Sequence, residues 1–202
     1  MLKLFYHKEL TEAGCDEAGR GCLAGPVYAA AVILPKDLNK KLLTGLNDSK
    51  QMNEELRYEL RPVIQEVALA WCVASASHQE IDEINILNAS FLAMHRALDG
   101  LSLAPKHIII DGNRFKKYRD IPHQCVIEGD GKYLSIAAAS VLAKTYRDDH
   151  MKELHEKFPV YNWKRNKAYA TPEHRKAIED HGLCEFHRRS FRLVPDQLEL
   201  EF

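Results

Sequence analysis

The sequence predicts an α/β fold with a mixed central sheet flanked by helices, on three observations. Short apolar runs, Val27 to Leu34 and His107 to Ile110, are bounded by turn residues and read as buried strands. Longer stretches between and after them repeat apolar residues at helical spacing. Strand signals come first, with helices interspersed and then gathered toward the C-terminus. The 202 residues show no internal repeat, low-complexity tract or Pro/Gly/Ser-rich linker, so one domain over residues 1–192 with a short tail over 193–202 is expected.

The elements follow in order. Val27 to Leu34 is β-prone, stopped by Pro35 and preceded by the glycine-rich turn Gly19 to Pro26. That places the end of a first strand at Ala13 to Asp16. Asn53 to Val67 and Ile81 to Leu98 carry helical spacing, with Ser90, His95 and Asp99 on the polar side of the second. His107-Ile-Ile-Ile-Asp111 reads as a buried strand with Asp111 at its carboxyl end, a common place for a ligand site. Ser135 to Phe158 reads as a long helix, rich in small residues in its first half and stopped by Pro159. Pro172 to His181 is a further helix, ended by Gly182.

Composition excludes several classes. With 46% hydrophobic and 28% charged residues the chain is expected to fold. The longest apolar run is too short to span a bilayer, and the first ten residues lack the apolar core of a secretory signal, so a cytoplasmic protein is expected. Five cysteines, odd in number and without a C-x-x-C pair, suit a reducing compartment and give no zinc signal. Net charge is -1, yet residues 144–192 hold 12 basic against 8 acidic side chains, a basic segment ahead of an acidic tail.

Three acidic elements carry the chemistry. Asp16 and Glu17 are adjacent acids followed at once by Gly19-Arg20-Gly21. Alone they read as an exposed acidic turn. On a strand end they would face opposite sides, and would share an ion only if the backbone turned between them. Asp111 and Asp130 each precede a glycine, which is ordinary turn chemistry. Together the acidic turns, beside strand ends and a helix start, make a site for a hard cation such as Mg²⁺ or Mn²⁺.

Asp16-Glu17-Ala18-Gly19-Arg20-Gly21 with Gly25-Pro26 following, Asn47-Asp48-Ser49-Lys50, Ile110-Asp111-Gly112-Asn113, Gly129-Asp130, Ser135-Ile-Ala-Ala-Ala-Ser140 with Ala143-Lys144 and Arg147-Asp148, and Asn166-Lys167-Ala168-Tyr169 resemble the type 2 ribonuclease H family (ribonuclease HII) in order and spacing. The resemblance runs from about Gly14 to Phe191. It implies a ribonuclease H-like fold with a C-terminal helical portion, and Asp16, Glu17, Asp111 and Asp130 as catalytic, metal-holding acids. It further implies two divalent ions, Mn²⁺ or Mg²⁺, hydrolysing the RNA strand of RNA–DNA hybrids and nicking 5′ of single ribonucleotides in duplex DNA, with 5′-phosphate and 3′-hydroxyl products.

Substrate contacts follow from the same resemblance. The Gly19-Arg20-Gly21 turn would contact the 2′-hydroxyl, the group that separates RNA from DNA at a given sugar. Tyr169 would stack on the deoxyribose after the ribonucleotide. The family commonly has glycine before this tyrosine, so Ala168 is expected to be strained if a positive φ is needed. Ser140, Lys144 and Arg147 share a helix face and can line one groove. Lys50 and Lys144 are the phosphate-contact candidates, and Arg147 has a neighbouring acid as an alternative partner.

The tail Gln197-Leu198-Glu-Leu200-Glu-Phe202 resembles the hexapeptide by which bacterial replication and repair proteins bind the sliding clamp. Its alternating Leu198, Leu200 and Phe202 would present three apolar groups on one side of an extended peptide. A DNA endonuclease on the same fold and an inactive hybrid-binding module are the competing readings. The Gly-Arg-Gly turn argues against the first. Four acids in a phosphate-binding groove argue against the second.

Overall fold

The computed structural model describes residues 2–46 and 52–193, so Lys50 and the tail residues Gln197, Leu198, Leu200 and Phe202 lie outside the described residues. Strand β1 (Glu12–Ala18) pairs antiparallel with β2 (Val27–Ile33), which pairs antiparallel with β3 (Ala70–Ala76). On its other side β1 runs parallel to β4 (His107–Asp111), and β4 runs parallel to β5 (His123–Val126). The order β3-β2-β1-β4-β5 is a mixed sheet. Its register places Cys15 opposite Ile110. Asp16 and Asp111, each one residue on, are therefore side by side on two parallel neighbours, Asp16 still paired with β2 and Asp111 at the carboxyl end of β4.

Helices cover both faces. Helix α1 (Glu54–Val67) begins at Asn53, whose side chain accepts the Leu56 N–H at 2.8 Å, and packs with α3 (Leu134–Lys157) on one face. From Leu134 to Ala143 every residue of α3 is buried, because Ala137, Ala138, Ala139 and Ser140 are small enough to lie directly on β1 and β2. Helix α2 (His78–Asp99) covers the other face, where Ile81, Ala89, Ala93 and Leu98 meet Ala29, Ala31 and Ile33. The apolar spacing predicts one unbroken helix here. Instead the chain breaks at Asn85 (φ 65°, ψ 163°), whose side chain caps the second half by accepting the Asn88 N–H at 3.1 Å.

The first strand runs to Ala18, two residues beyond the expected end, so no turn separates Asp16 from Glu17. None of the helices in the described residues is long and apolar enough to cross a membrane.

A third core joins the C-terminal portion to the loop after β1. It gathers Cys22, Leu23 and Ala24 with Met151 and Leu154 of α3, Trp163 of the short helix α4 (Trp163–Asn166), and Ile178 of α5 (Pro172–His181). Its polar groups form a closed chain. The Trp163 Nε1–H donates to His174 Nε2 at 2.9 Å, leaving His174 Nδ1 to donate to the Tyr169 carbonyl at 3.0 Å. His187 Nδ1 accepts the Cys184 N–H at 3.1 Å, and its Nε2 lies 3.3 Å from His174 Nε2. Each ring uses one nitrogen as an acceptor, so both imidazoles are neutral.

Burial, reinforced by His174 beside it, holds His187 down at about 4, against 6.5 for a free imidazole. The unfolded chain takes up this proton first, so the stabilisation is complete above pH 6.5 and is lost as pH falls toward 4. Urea unfolding is expected to lose about 2 kcal/mol between pH 7 and pH 5 through this ring. A His187→Gln variant should flatten that slope; equal slopes in the two proteins would contradict the assignment.

Candidate active site

A cavity of about 620 Å³ opens at the carboxyl ends of β1 and β4. Asp16, Glu17 and Asp111 lie on its acidic side, Gly19, Arg20 and Gly21 form one wall, and Ser140, Lys144 and Tyr169 form another. Both adjacent acids border the cavity, yet as neighbours on one strand they differ in setting: Asp16 is bonded by Ser140 of α3, while Glu17 also borders a second space beside Ser90 and Phe91 of α2.

Asp16 is 5% exposed. Burial raises its pKa well above the usual carboxylate range, and the charges of Glu17 and Asp111 raise it further. The Ser140 hydroxyl and the Glu17 N–H, at 2.7 Å from Oδ1, partly oppose this by bonding the ionised form. Glu17 is ion-paired with Arg20 at 3.1 Å. Asp111 Oδ1 accepts the Gly129 N–H at 2.7 Å, which ties the next loop to the site. Asp130, one residue on, is buried with Oδ1 accepting the Gly131 N–H at 2.9 Å, and it does not line the cavity.

Oxygen-only donors of like charge, held partly out of water, suit a hard divalent cation, which removes the repulsion that opposes ionisation of Asp16. Among the described residues, no three His, Cys, Asp or Glu side chains converge closely enough to hold an ion as they stand. Binding one would draw Glu17 away from Arg20.

A family model described as Ribonuclease HII matches residues 13–194. The chain belongs to the ribonuclease HII family. It is therefore a ribonuclease H, an endonuclease acting on the RNA strand of RNA–DNA hybrids. It is 64% identical over 203 residues, covering both chains fully, to a ribonuclease HII of Bacteroides thetaiotaomicron. Among solved structures it resembles the ribonuclease HII of Archaeoglobus fulgidus in a PCNA complex (25% identity, TM-score 0.73, 94% of this chain and 98% of that one). It also shares its fold with the ribonuclease HIII called Bst in complex with Mn²⁺ (21% identity, TM-score 0.65, 92% and 68%).

Against this ribonuclease HII background, the predicted substrate residues divide. Ser140 and Lys144 reach the cavity from α3, but Lys144 is also ion-paired with Asp148 at 2.6 Å. Arg147, expected to share their groove, turns inward instead. Asp148 is taken by Lys144, and the Arg147 guanidinium bonds carbonyls of the loop beneath the cavity. Tyr169 is 43% exposed with Lys144 Nζ 5.8 Å from its ring centre. Arg57 of α1 also lines the cavity and was not among the expected residues. No motif marks it, because its place depends on how α1 packs against α3.

Ala168 does adopt a positive φ, 63°, following Lys167 at 49°. The left-handed conformation costs an alanine about 1 kcal/mol. Its methyl is fully buried in the third core, which returns about 0.8 kcal/mol. Hydrogen bonds from Ala168 N–H to Asn166 Oδ1 and from Leu23 N–H to the Ala168 carbonyl, both 2.8 Å, fix the turn that presents Tyr169.

Proposed function

We propose that the enzyme also nicks duplex DNA on the 5′ side of a single embedded ribonucleotide, using two divalent ions, Mn²⁺ or Mg²⁺. Asp16, Glu17, Asp111 and Asp130 would hold them, Asp130 after a shift of its loop. Ions bound there supply Lewis-acid activation of water and charge neutralisation at the phosphodiester, for 5′-phosphate and 3′-hydroxyl products.

The observation that carries this reading is the Gly19-Arg20-Gly21 turn forming one cavity with Asp16, Glu17 and Asp111, while Tyr169 stands across from it. Gly19 has φ 97° and its missing side chain leaves room for the Arg147 guanidinium, so this backbone path needs glycine. Exposed backbone groups of the turn can then approach a sugar edge closely. Cys22 and Tyr169 form a backbone bridge, which fixes the turn and the tyrosine to each other. Arg57 and Lys144 supply positive charge for the phosphate backbone.

A labelled duplex with one ribonucleotide tests this, incubated with Mn²⁺, Mg²⁺ or chelator beside an all-DNA control. The expected result is a metal-dependent nick 5′ of the ribonucleotide with the control intact. Cutting confined to longer RNA stretches would overturn the single-ribonucleotide reading, and cutting of the control would favour a DNA endonuclease.

Removal of ribonucleotides from cytoplasmic DNA during replication and repair is the role this activity serves. The Archaeoglobus relative was solved with PCNA, and the tail Gln197 to Phe202 of this chain carries its own clamp-type peptide. Deleting the last six residues should abolish capture by a bacterial sliding clamp while leaving turnover of a short duplex unchanged; undiminished capture would reject the role of the tail.

A further inference from the structure

Two arginines are buried to 1% exposure or less, Arg147 on α3 and Arg188 in the C-terminal segment. Among the described residues neither forms an ion pair. Their six guanidinium hydrogen bonds all go to backbone carbonyls. Arg188 donates from Nη2 to Gly19 and from Nη1 to Arg20, both at 2.8 Å, and from Nε to Gly25 at 2.9 Å. Arg147 donates to Ala24 and Pro26 at 3.3 Å, and to Lys167 at 2.9 Å. The Arg188 backbone N–H adds a bond to the Leu23 carbonyl at 2.9 Å.

A planar trans peptide points its C=O and its N–H in opposite directions. Drawing the Gly19 and Arg20 carbonyls down onto Arg188 therefore turns the N–H groups of Arg20 and Gly21 the other way, toward the cavity that these residues line. The contact to Lys167 extends the same brace to the turn that presents Tyr169. The segment carrying Arg188 is itself held from α2, where the Asp82 carboxylate accepts the Arg189 and Ser190 N–H groups, each at 2.9 Å.

We propose that Arg147 and Arg188 are positioning residues for ribose recognition: by bonding carbonyls of the Gly19–Pro26 loop and of Lys167 they fix the donor edge of the Gly-Arg-Gly turn against Tyr169, and so set discrimination between ribose and deoxyribose. This rests on the reading that the turn senses the 2′-hydroxyl. Three donors fanned across one plane are what the arrangement requires. A lysine keeps the charge but presents its donors from a single point and cannot span the carbonyls.

The test compares affinities for a duplex with one ribonucleotide and for the same duplex made wholly of DNA, in Ca²⁺ buffer where neither is cut. Using the ratio cancels any loss of folded protein. Arg188→Lys and Arg147→Lys are each expected to lower the ratio about tenfold, the worth of one misaligned hydrogen bond, with affinity for the all-DNA duplex changed less than about twofold. Asp82→Asn, at the exposed end of the brace, should fold whatever becomes of the lysine variants and lower the ratio about threefold. An unchanged ratio in every folded variant, beside a discriminating wild type, overturns this inference alone. A wild type with no discrimination overturns the 2′-hydroxyl reading and this inference with it.

Discussion

Asp16→Asn is expected to lower kcat by about 10²–10³-fold while raising the melting temperature of the metal-free protein. Both effects have one cause. Asp16 is buried beside Glu17 and Asp111, and its ionised form is disfavoured by all three facts. An acid whose pKa is raised on folding destabilises the fold above its unfolded value of 3.8, and the cost grows as pH rises toward the folded pKa. Asparagine keeps an oxygen for the Glu17 N–H and the Ser140 hydroxyl and removes the charge. Relief of about 1 kcal/mol corresponds to about 2–4 °C for a chain of this size.

The same charge is what a divalent ion needs, and losing one electrostatic contributor to a phosphoryl-type transition state costs about 10²–10³ even where others remain. Mn²⁺ should therefore raise the melting temperature of the wild type and leave that of the variant nearly unmoved, by mass action on the folded state. Turnover near the wild-type rate, or a lower melting temperature in chelator, would contradict the placement of Asp16 at the centre of the site.

What could be read from the sequence follows from where its signals are local. The strand holding Asp111 was legible because its apolar run ends in an acid and a glycine, the strand holding Asp16 because a glycine-rich turn separates it from Val27 to Leu34, and the Pro172–His181 helix because Thr171, Pro172 and Gly182 mark its ends. Strands β3 and β5 were not. β3 is an edge strand rich in small residues, and the four residues of β5, His-Gln-Cys-Val, have too little apolar pattern to register. The break at Asn85 was hidden because apolar residues continue at helical spacing across it. At the site, the expected Asp16, Glu17, Asp111 and Gly-Arg-Gly turn line one cavity while the expected Asp130 stays outside it, and the turn that would let Asp16 and Glu17 share an ion is absent. Arg147 was expected in the groove but turns inward, and the carbonyl contacts it shares with Arg188 were beyond reach for a common reason. Backbone carbonyls are the same at every residue, so a guanidinium that binds them leaves no partner to find in the sequence.

The largest effect on stability is expected from Gly14→Ala. Gly14 lies in β1 beneath the start of α3, and a methyl there would stand 2.5 Å from the Ile136 backbone nitrogen and collide with the Ser135 carbonyl carbon. Both obstacles are backbone, so no side chain can swing aside; α3 itself would have to lift from the sheet. Ordinary overpacking costs about 1–3 kcal/mol, and a clash with two backbone atoms at the densest contact in the fold should reach the top of that range or exceed it. A fall in melting temperature of about 10 °C follows. Activity should fall as well, because Ser140, which bonds Asp16, and Lys144, beside Tyr169, ride on the same helix. Gly21→Ala is the matched control: nothing stands within 4 Å of a methyl there, so the melting temperature should hold within about 2 °C. If Gly14→Ala melts as the control does, α3 does not rest on β1 through its backbone, and the close approach that carries Ser140 to Asp16 has another origin.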